Sequence, residues 1–207
     1  WPDGTGSLTD YLGSDKTTVT SLSLPSSING VTIRGTMGSW MQNLSSLTSV
    51  TIPSTFGSIN GGMFSYCNNL TSVAIPNSVT NIGYSAFQGC DALTSITIPS
   101  SVKTIGQEVF YYCRALTSVS FAQSSSLVEI GAYAFSYCYA LKQMTIPSSV
   151  KTIGYRAFFE CEAMTQIVIP DSVTSIGERA FEYCSSLVSI TIPDSVRVLS
   201  VAFEHCI

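Results

Sequence analysis

The sequence predicts a repeat solenoid, because one residue pattern recurs at a nearly fixed period along the 207-residue chain. The pattern is L-x-x-I-x-I-P-x-S-V-x-x-I-G-x-x-x-F-x-x-C-x-x-L, and residues 93–116 show it in full. Five of the seven spacings between units are 23 residues, one is 25 and the first is 28, with anchor residues at Val19, Leu47, Leu70, Leu93, Leu116, Leu141, Met164 and Leu187. Each unit of such an array packs mainly on its neighbours. We therefore expect an α/β solenoid of about eight stacked units, with parallel strands and one short helical turn in each.

Each unit begins with an extended segment. In the fourth unit, Ile96 and Ile98 alternate with Thr and Ser, as in a strand with one buried face. A proline ends this strand, since proline has no N–H to donate to a sheet. A hydroxyl residue follows two positions later, at Ser27, Thr55, Ser78, Ser101, Ser126, Ser149, Ser172 and Ser195. We expect these hydroxyls to bond backbone groups of neighbouring units, and the following Val-x-x-Ile to form a second short strand.

A small-residue column follows the second segment, with Gly83, Gly106, Gly131, Gly154 and Gly177, and with Asn60 in the earlier unit. Gly and Asn tolerate positive φ, so we expect a left-handed residue there. The rest of the unit, ending in F-x-x-C, should make about one helical turn. That turn should bury the phenylalanine column Phe64, Phe87, Phe110, Phe135, Phe158, Phe181 and Phe203.

The seven cysteines occupy one column, one in each unit: Cys67, Cys90, Cys113, Cys138, Cys161, Cys184 and Cys206. An odd number in register favours a buried ladder of reduced thiols, in which free Cys acts as a small apolar residue. Adjacent units about 4.8 Å apart would allow a disulfide by distance alone, but parallel side chains in a packed core oppose it. The column also lacks the paired C-x-x-C spacing that is typical of zinc sites.

Two regions depart from the regular pattern. Residues 1–46 are irregular, and we interpret them as an N-terminal cap with a short helix at 7–13 and a degenerate first unit, followed by one continuous repeat domain at 47–207. The fifth unit has F-A-Q-S-S-S in place of I-P-x-S, which adds two residues and removes the proline. A bulged corner is therefore expected at 122–125.

Composition and charge exclude several classes of function. Only 11% of the residues are charged, the net charge is −4, and no basic block is present, which argues against a nucleic-acid partner. No apolar run approaches the ~18 residues of a transmembrane helix. The chain opens with Trp1-Pro2-Asp3, without Met or a signal peptide, and we interpret that start as a mature or trimmed end.

No catalytic, cofactor or metal site is predicted. His205 is the only histidine in the chain, and no P-loop, H-E-x-x-H or G-x-S-x-G is present. Asp171 and Asp194 share a column, but Ca²⁺ needs more oxygen ligands than the two carboxylates supply, so we interpret them as solvated acids. The sequence therefore favours a protein that is not an enzyme.

Two outward-facing sets of side chains are candidate binding surfaces. The first is a weakly charged ribbon on the strands, whose residues also suit an ordinary soluble sheet face: Thr48, Ser49, Thr51, Thr71, Ser72, Thr94, Ser95, Thr97, Thr117, Ser118, Lys142, Gln143 and Thr145. The second is a tyrosine stripe just before the cysteine column, at Tyr66, Tyr112, Tyr137 and Tyr183. Tyrosine is enriched at interfaces, although half-buried packing also explains this stripe.

The repeat resembles the BspA-like leucine-rich repeat family of bacterial surface proteins, also called the Treponema pallidum type. Leu187-x-x-Ile190-x-Ile192-Pro193 and Ala180-Phe181-x-x-Cys184 carry the resemblance, which covers about residues 47–206. It implies a right-handed arc with the strands on its concave side. It also implies an extracellular or surface-attached chain that binds host or partner proteins, without cofactors and without catalytic residues.

Three functions follow from these observations. The first is protein binding or adhesion through the solenoid face, to a host matrix protein or another surface protein. The second is glycan binding through the tyrosine stripe. The third is a structural spacer within a longer surface protein.

Overall fold

The computed structural model describes residues 18–28, 31–32, 41–198 and 201–206. Their strands, numbered in chain order, are β1 (Ser21–Ser23), β2 (Ser27–Ile28), β3 (Val31–Thr32), β4 (Ser49–Thr51), β5 (Ser58–Ile59), β6 (Ser72–Ala74), β7 (Asn81–Ile82), β8 (Ser95–Ile98), β9 (Thr104–Ile105), β10 (Ser118–Phe121), β11 (Glu129–Ile130), β12 (Gln143–Thr145), β13 (Thr152–Ile153), β14 (Gln166–Val168), β15 (Ser175–Ile176), β16 (Ser189–Thr191) and β17 (Arg197–Val198). The predicted helix at 7–13 lies outside the described residues.

The strands form a parallel β-solenoid with two ladders. We call the strands that start the units the front sheet: β1, β4 and β6 form one parallel group, and β8, β10, β12, β14 and β16 form another. The back sheet is a continuous parallel ladder from β5 to β17 through the odd-numbered strands. Strands β2 and β3 form a small antiparallel hairpin. The predicted parallel pairing of both segments is thus confirmed among the described residues.

The front sheet has two irregular places, while the back sheet has none in the described residues. Strands β6 and β8 are neighbours but are not hydrogen-bonded as a ladder. Strand β10 pairs with β8 at four positions, from Ser118↔Ser95 to Phe121↔Ile98, but with β12 only at Ser118↔Gln143. The second irregularity lies at the predicted bulge, because the two extra residues carry the end of β10 away from β12.

One part of the core is a stack of phenylalanine side chains. The phenylalanine rings from Phe64 to Phe181 are completely buried, and successive rings lie 5.1–5.7 Å apart and nearly parallel. Phe203, in the last described turn, is only partly buried. The rise of a parallel ladder brings copies of one residue to this spacing, so each inner ring is covered on both faces by its two neighbours.

All seven cysteines are free and buried, as predicted. Each thiol donates to the carbonyl of the phenylalanine or equivalent residue in the preceding unit, for example Cys138 Sγ to Phe110 O at 3.2 Å and Cys161 Sγ to Phe135 O at 3.2 Å. Burial raises the pKa of Cys67 to about 11, and it raises the pKa of Cys113 and Cys138 as well. These thiols therefore stay protonated at neutral pH.

The predicted helical turn is not formed in any described unit. The segment from Gly83 to Cys90 is instead a chain of tight turns, in which Ala86 N donates to Gly83 O and Cys90 N to Phe87 O. Alternate N–H groups, those of Ser85, Phe87 and Gly89, donate to the next unit, as from Phe87 N to Val109 O at 2.9 Å. Residues with positive φ, such as Ser85 at 52°, interrupt the helix geometry and turn these donors outward. Backbone bonding between units therefore replaces the bonding within a helical turn.

The glycine column was wrongly predicted to adopt positive φ. Positive φ occurs two residues later, at Ser85, Glu108, Tyr133, Arg156 and Arg179. Glycine is needed for close approach instead: a Cβ on Gly131 would lie 2.6 Å from the carbonyl carbon of Gly106, and one on Gly177 would lie 2.5 Å from that of Gly154. The backbones of successive units meet there without room for a side chain.

The hydroxyl column behaves as expected in three units. Ser101, Ser172 and Ser195 donate to Val79 O, Val150 O and Val173 O at 2.6–2.8 Å and so join neighbouring corners. Thr55, Ser78 and Ser149 place their hydroxyl oxygens in buried positions without a hydrogen-bond partner. The predicted bonding between corners therefore holds for part of the column.

Candidate binding surface on the front sheet

The predicted ribbon lies on the exposed face of the front sheet. Every residue of the ribbon is exposed except Ser49, which is half-buried. The burial pattern alternates along β8, where Ile96 and Ile98 point into the core and Ser95 and Thr97 point outward. The period-two pattern of the sequence thus determines which side chains a partner can reach.

The threonine that begins the ribbon in several units also forms a hydrogen bond that stabilises the fold. Thr48, Thr71 and Thr117 donate their hydroxyls to the carbonyls of Thr20, Thr48 and Thr94, at 2.7–3.0 Å. Each such bond joins one unit to the one before it. These threonines therefore present a methyl group and an acceptor oxygen to solvent, because their donor is already used.

A groove crosses the ribbon where β10 and β12 diverge. It encloses about 620 Å³, and its lining is Ser118, Val119, Ser120, Phe121, Ala122, Ser124, Ser125, Gln143, Met144, Thr145, Pro147, Ser148, Gln166 and Val168. No lining residue carries a charge or a titratable carboxyl, amine or imidazole. Groups of this kind can accept and donate hydrogen bonds and make apolar contact, but they offer no general base.

Only three of the residues that line the groove belong to the predicted ribbon: Ser118, Gln143 and Thr145. Ser120, Gln166 and Val168 occupy the outward-facing strand positions of the same columns, and Ala122, Ser124 and Ser125 belong to the bulge that the sequence predicts in the fifth unit. Residues 122–125 form a shelf at its edge, held to the preceding unit by Ala122 N to Ile98 O at 2.9 Å. A second, smaller groove of about 400 Å³ lies over β6 and β8 and shares Ala122 with the first.

The tyrosine column is interrupted at Glu160, but the ring of Phe159 bridges this interruption, because it lies edge-on 5.3 Å from Tyr137 and 5.6 Å from Tyr183. Tyr112 and Tyr137 stack at 4.4 Å, and Tyr183 stacks on His205 at 4.8 Å, but Glu160 occupies the column between these pairs. Tyr66 is separated from them by Gly89, over which its ring lies. Tyr66 and Tyr183 are exposed, whereas Tyr112 and Tyr137 are half-buried. Burial raises the pKa of Tyr137, and so do nearby Tyr112 and Glu160.

All four tyrosines have positive φ, between 58° and 61°. Gly89 occupies the same position in one unit with a φ of 68°, so glycine also fits this turn. Positive φ costs a side-chain-bearing residue about 1–2 kcal/mol. Ring stacking offsets part of that energy at Tyr112 and Tyr137, because offset stacked pairs contribute about 0.5–1.5 kcal/mol.

One cluster of possible metal ligands is present among the described residues. The ligand atoms of Glu182, Glu204 and His205 all lie within 4.8 Å of one another. Glu182 is nearly buried, and its carboxylate lies 3.3 Å from Arg156 and 3.9 Å from Arg179. Two guanidinium groups already balance this carboxylate, so the arrangement is that of an ion-pair network.

The repeats also match a known family model. The model of the BspA type leucine rich repeat region matches residues 37–162 and 122–207, with six copies. The chain belongs to the BspA-type leucine-rich repeat family. The family model finds six copies of the repeat, whereas the sequence predicts eight units, so the number eight remains a prediction. Curated proteins provide no significant match.

Solved structures of bacterial leucine-rich repeat proteins share the fold of this BspA-type chain. A leucine-rich repeat protein of Treponema pallidum is 28% identical with a TM-score of 0.63, over 87% of this chain and 72% of that one. One from Eubacterium ventriosum is 30% identical with a TM-score of 0.68, over 78% of this chain and 44% of that one. The chain thus spans less than half of the Eubacterium protein. A pneumococcal vaccine antigen, 18% identical with a TM-score of 0.65, shares the fold over 88% of this chain and 63% of its own.

No described helix is long and apolar enough to cross a membrane. The described part of this BspA-type chain consists of short strands and turns instead. That finding concerns the described residues alone.

Proposed function

We propose that this chain is a non-catalytic binding protein of the bacterial surface or the extracellular space, and that its front sheet recognises another protein. The observation that carries the proposal is the exposed ribbon together with its groove. The ribbon presents hydroxyl and amide groups on a rigid ladder, and Lys142 is the one charged residue in the predicted set. Extended sheet faces of solenoids serve as binding surfaces. A right-handed arc of about eight units, with this face on its concave side, belongs to the same proposal.

Family membership supports the location and the kind of partner. BspA-type repeats are typical of surface proteins, which favours an extracellular partner such as a host matrix protein. The absence of a base, a metal set or a cofactor cradle among the groove residues supports a role without catalysis.

The proposal is tested by measuring binding of the purified chain to a panel of purified extracellular-matrix proteins. Thr145→Lys places a charge on the exposed front sheet, and Ser175→Lys places the same charge on the exposed back sheet as a matched control. We expect Thr145→Lys to weaken binding at least tenfold and Ser175→Lys to leave it within twofold. Equal effects of the two substitutions would refute recognition by the front sheet.

Glycan binding through the tyrosine stripe is the second candidate. The observation in its favour is that Tyr66 and Tyr183 remain exposed at positive φ, where glycine would fit without strain. A glycan array with the native chain and with Tyr66→Ala tests this candidate. Binding of a glycan that Tyr66→Ala abolishes and Thr145→Lys does not would support it. Failure to bind both proteins and glycans would favour the structural spacer.

A further inference from the structure

We propose that the groove between β10 and β12, which we call the wedge, is a docking site for one extended, uncharged peptide segment of a partner protein. The inference deepens the proposed function and rests on it, because it names the part of the front sheet and the chemistry of the segment that binds. It follows from the pairing of the strands, the anchoring of the shelf and the chemistry of the lining.

The first observation is the loss of pairing between two adjacent strands. Strands β8 and β10 pair at four positions, and β12 and β14 pair at three, but β10 and β12 pair only at Ser118↔Gln143. Beyond that point the facing edges of the two strands share no paired position. Strand edges without a ladder partner are the groups that an added extended peptide hydrogen-bonds.

The second observation explains why the wedge stays open. The shelf at 122–125 is tied at both ends to the unit before it, by Ala122 N to Ile98 O and by Ser126 N to Ser100 O, each at 2.9 Å. Ser124 turns the chain with a φ of 56°. The shelf is therefore held on the β8 side and forms a wall of the groove, rather than folding across it.

The third observation is the chemistry of the lining. Hydroxyl and amide side chains alternate with the apolar groups of Phe121, Met144 and Val168, and no lining residue is charged. A charged partner side chain would lose water there without gaining a counter-ion, so an uncharged segment fits best. The volume of about 620 Å³ is in the usual range for ligand sites.

A peptide fits this groove better than a glycan does. Phe121 is the one aromatic residue of the lining, and it is half-buried, so the groove offers little aromatic surface to stack on a sugar. Beyond the paired Ser118, the wall from Val119 to Ala122 is four residues long, which corresponds to about 13 Å of extended chain. A segment of four to five residues would therefore lie along it, with its backbone bonded to the free edge of β10 or β12.

The test uses a phage-displayed library of random twelve-residue peptides, selected on the whole chain. A closed-wedge variant, with Ala122→Pro and deletion of Gln123 and Ser124, restores the corner that Ile146-Pro147-Ser148-Ser149 forms in the next unit. Restoring a corner that the chain already uses keeps this variant foldable, and circular dichroism and a melting curve check it. Val168→Lys adds a charge inside the groove, and Val188→Lys adds the same charge at an exposed residue just before β16, outside the groove.

We expect selected synthetic peptides to carry an uncharged core of about five residues. Their affinity, measured by fluorescence anisotropy, should fall at least tenfold with the closed-wedge variant and with Val168→Lys, and stay within twofold with Val188→Lys. Failure to select peptides, equal binding by the closed-wedge variant, or selection of charged cores would each overturn the proposal. A glycan that loses binding when the wedge is closed would assign the groove to carbohydrate instead.

The outcome is separable from that of the proposed function. A matrix protein that binds the native and closed-wedge chains equally, and loses binding with Thr145→Lys, would preserve recognition by the front sheet while refuting the peptide site. If the native chain bound no protein of the panel and no peptide, both the proposed function and the peptide site would be refuted.

Discussion

Removal of one ring from the middle of the phenylalanine stack should destabilise the protein much more than removal of the last ring. Phe135 is completely buried, and its ring lies between Phe110 at 5.2 Å and Phe158 at 5.4 Å. Phe203 contacts Phe181 at 5.1 Å and has no described ring on its other side. The two residues therefore make a matched pair with the same side chain and different enclosure.

The magnitude follows from burial. Truncation of a buried Phe to Ala costs about 3–5 kcal/mol, because the transfer free energy of the ring is lost and a cavity remains. Phe135→Ala should reach this range, since both faces of the ring are covered. Phe203→Ala should cost roughly half as much, about 1.5–2.5 kcal/mol, because one neighbouring ring is lost instead of two. At this chain length, 1 kcal/mol shifts the melting temperature by about 2–4 °C.

Cooperativity supplies an independent signature. A solenoid is held together by interfaces between adjacent units, so a weak middle unit uncouples the two halves. We expect Phe135→Ala to give a broadened or two-step transition by circular dichroism and calorimetry, and Phe203→Ala to shift a single transition modestly. Equal changes in midpoint and width for the two variants would refute the reasoning. Such a result would mean that Phe203 is as enclosed in solution as the central rings.

Three other predictions concern the glycine and cysteine columns. Gly131→Ala should destabilise the chain by about 1–3 kcal/mol through overpacking, since its Cβ would lie 2.6 Å from the carbonyl carbon of Gly106. Gly57→Ala is the control: its Cβ would have nothing within 4 Å, so it should be neutral or stabilise the chain by up to about 1 kcal/mol. Urea denaturation of both variants measures the difference. Thiol titration at pH 8 should detect at most one or two reactive groups in the native chain and all seven after unfolding, and fewer than seven without reductant would reveal disulfides. The free energy of unfolding should fall as the pH rises from 9.0, the ordinary pKa of a thiol, towards about 11, the pKa of Cys67 in the folded chain. The reason is that the unfolded chain loses its thiol protons at lower pH than the folded chain does. A Cys138→Ala chain should lose less stability over this range, and an equal loss would contradict the assignment to thiols.

The period of the sequence was enough to predict the solenoid. Repeated Leu, Ile and Phe at a constant spacing can be buried together only if each unit stacks on its copy, so parallel pairing follows without tertiary information. The same reasoning predicted the buried thiols and the exposed Thr and Ser ribbon, because alternation along a strand assigns each residue to a face.

Two local features could not be inferred in this way. A glycine in the sequence can mean either a positive φ or a close approach of two backbones, and the sequence does not distinguish these two reasons. The close approach of Gly131 to Gly106 in the structure shows that the second reason applies here. Likewise, the turns from Gly83 to Cys90 have the composition of a helical turn. Alternate N–H groups of this segment bond to the next unit instead, and that partner becomes visible only when units are stacked.

Some features of the candidate site could likewise be predicted from the sequence, and others could not. The sequence by itself determined that the front of the solenoid carries mostly hydroxyl and amide groups and that the fifth unit has two extra residues. Only the tertiary structure decided where those residues go: Ala122 and Ser126 bond to the preceding unit, and β12 is left with a single paired position against β10. An insertion can close over a sheet or open it, and the choice depends on hydrogen bonds between units that a single repeat does not contain.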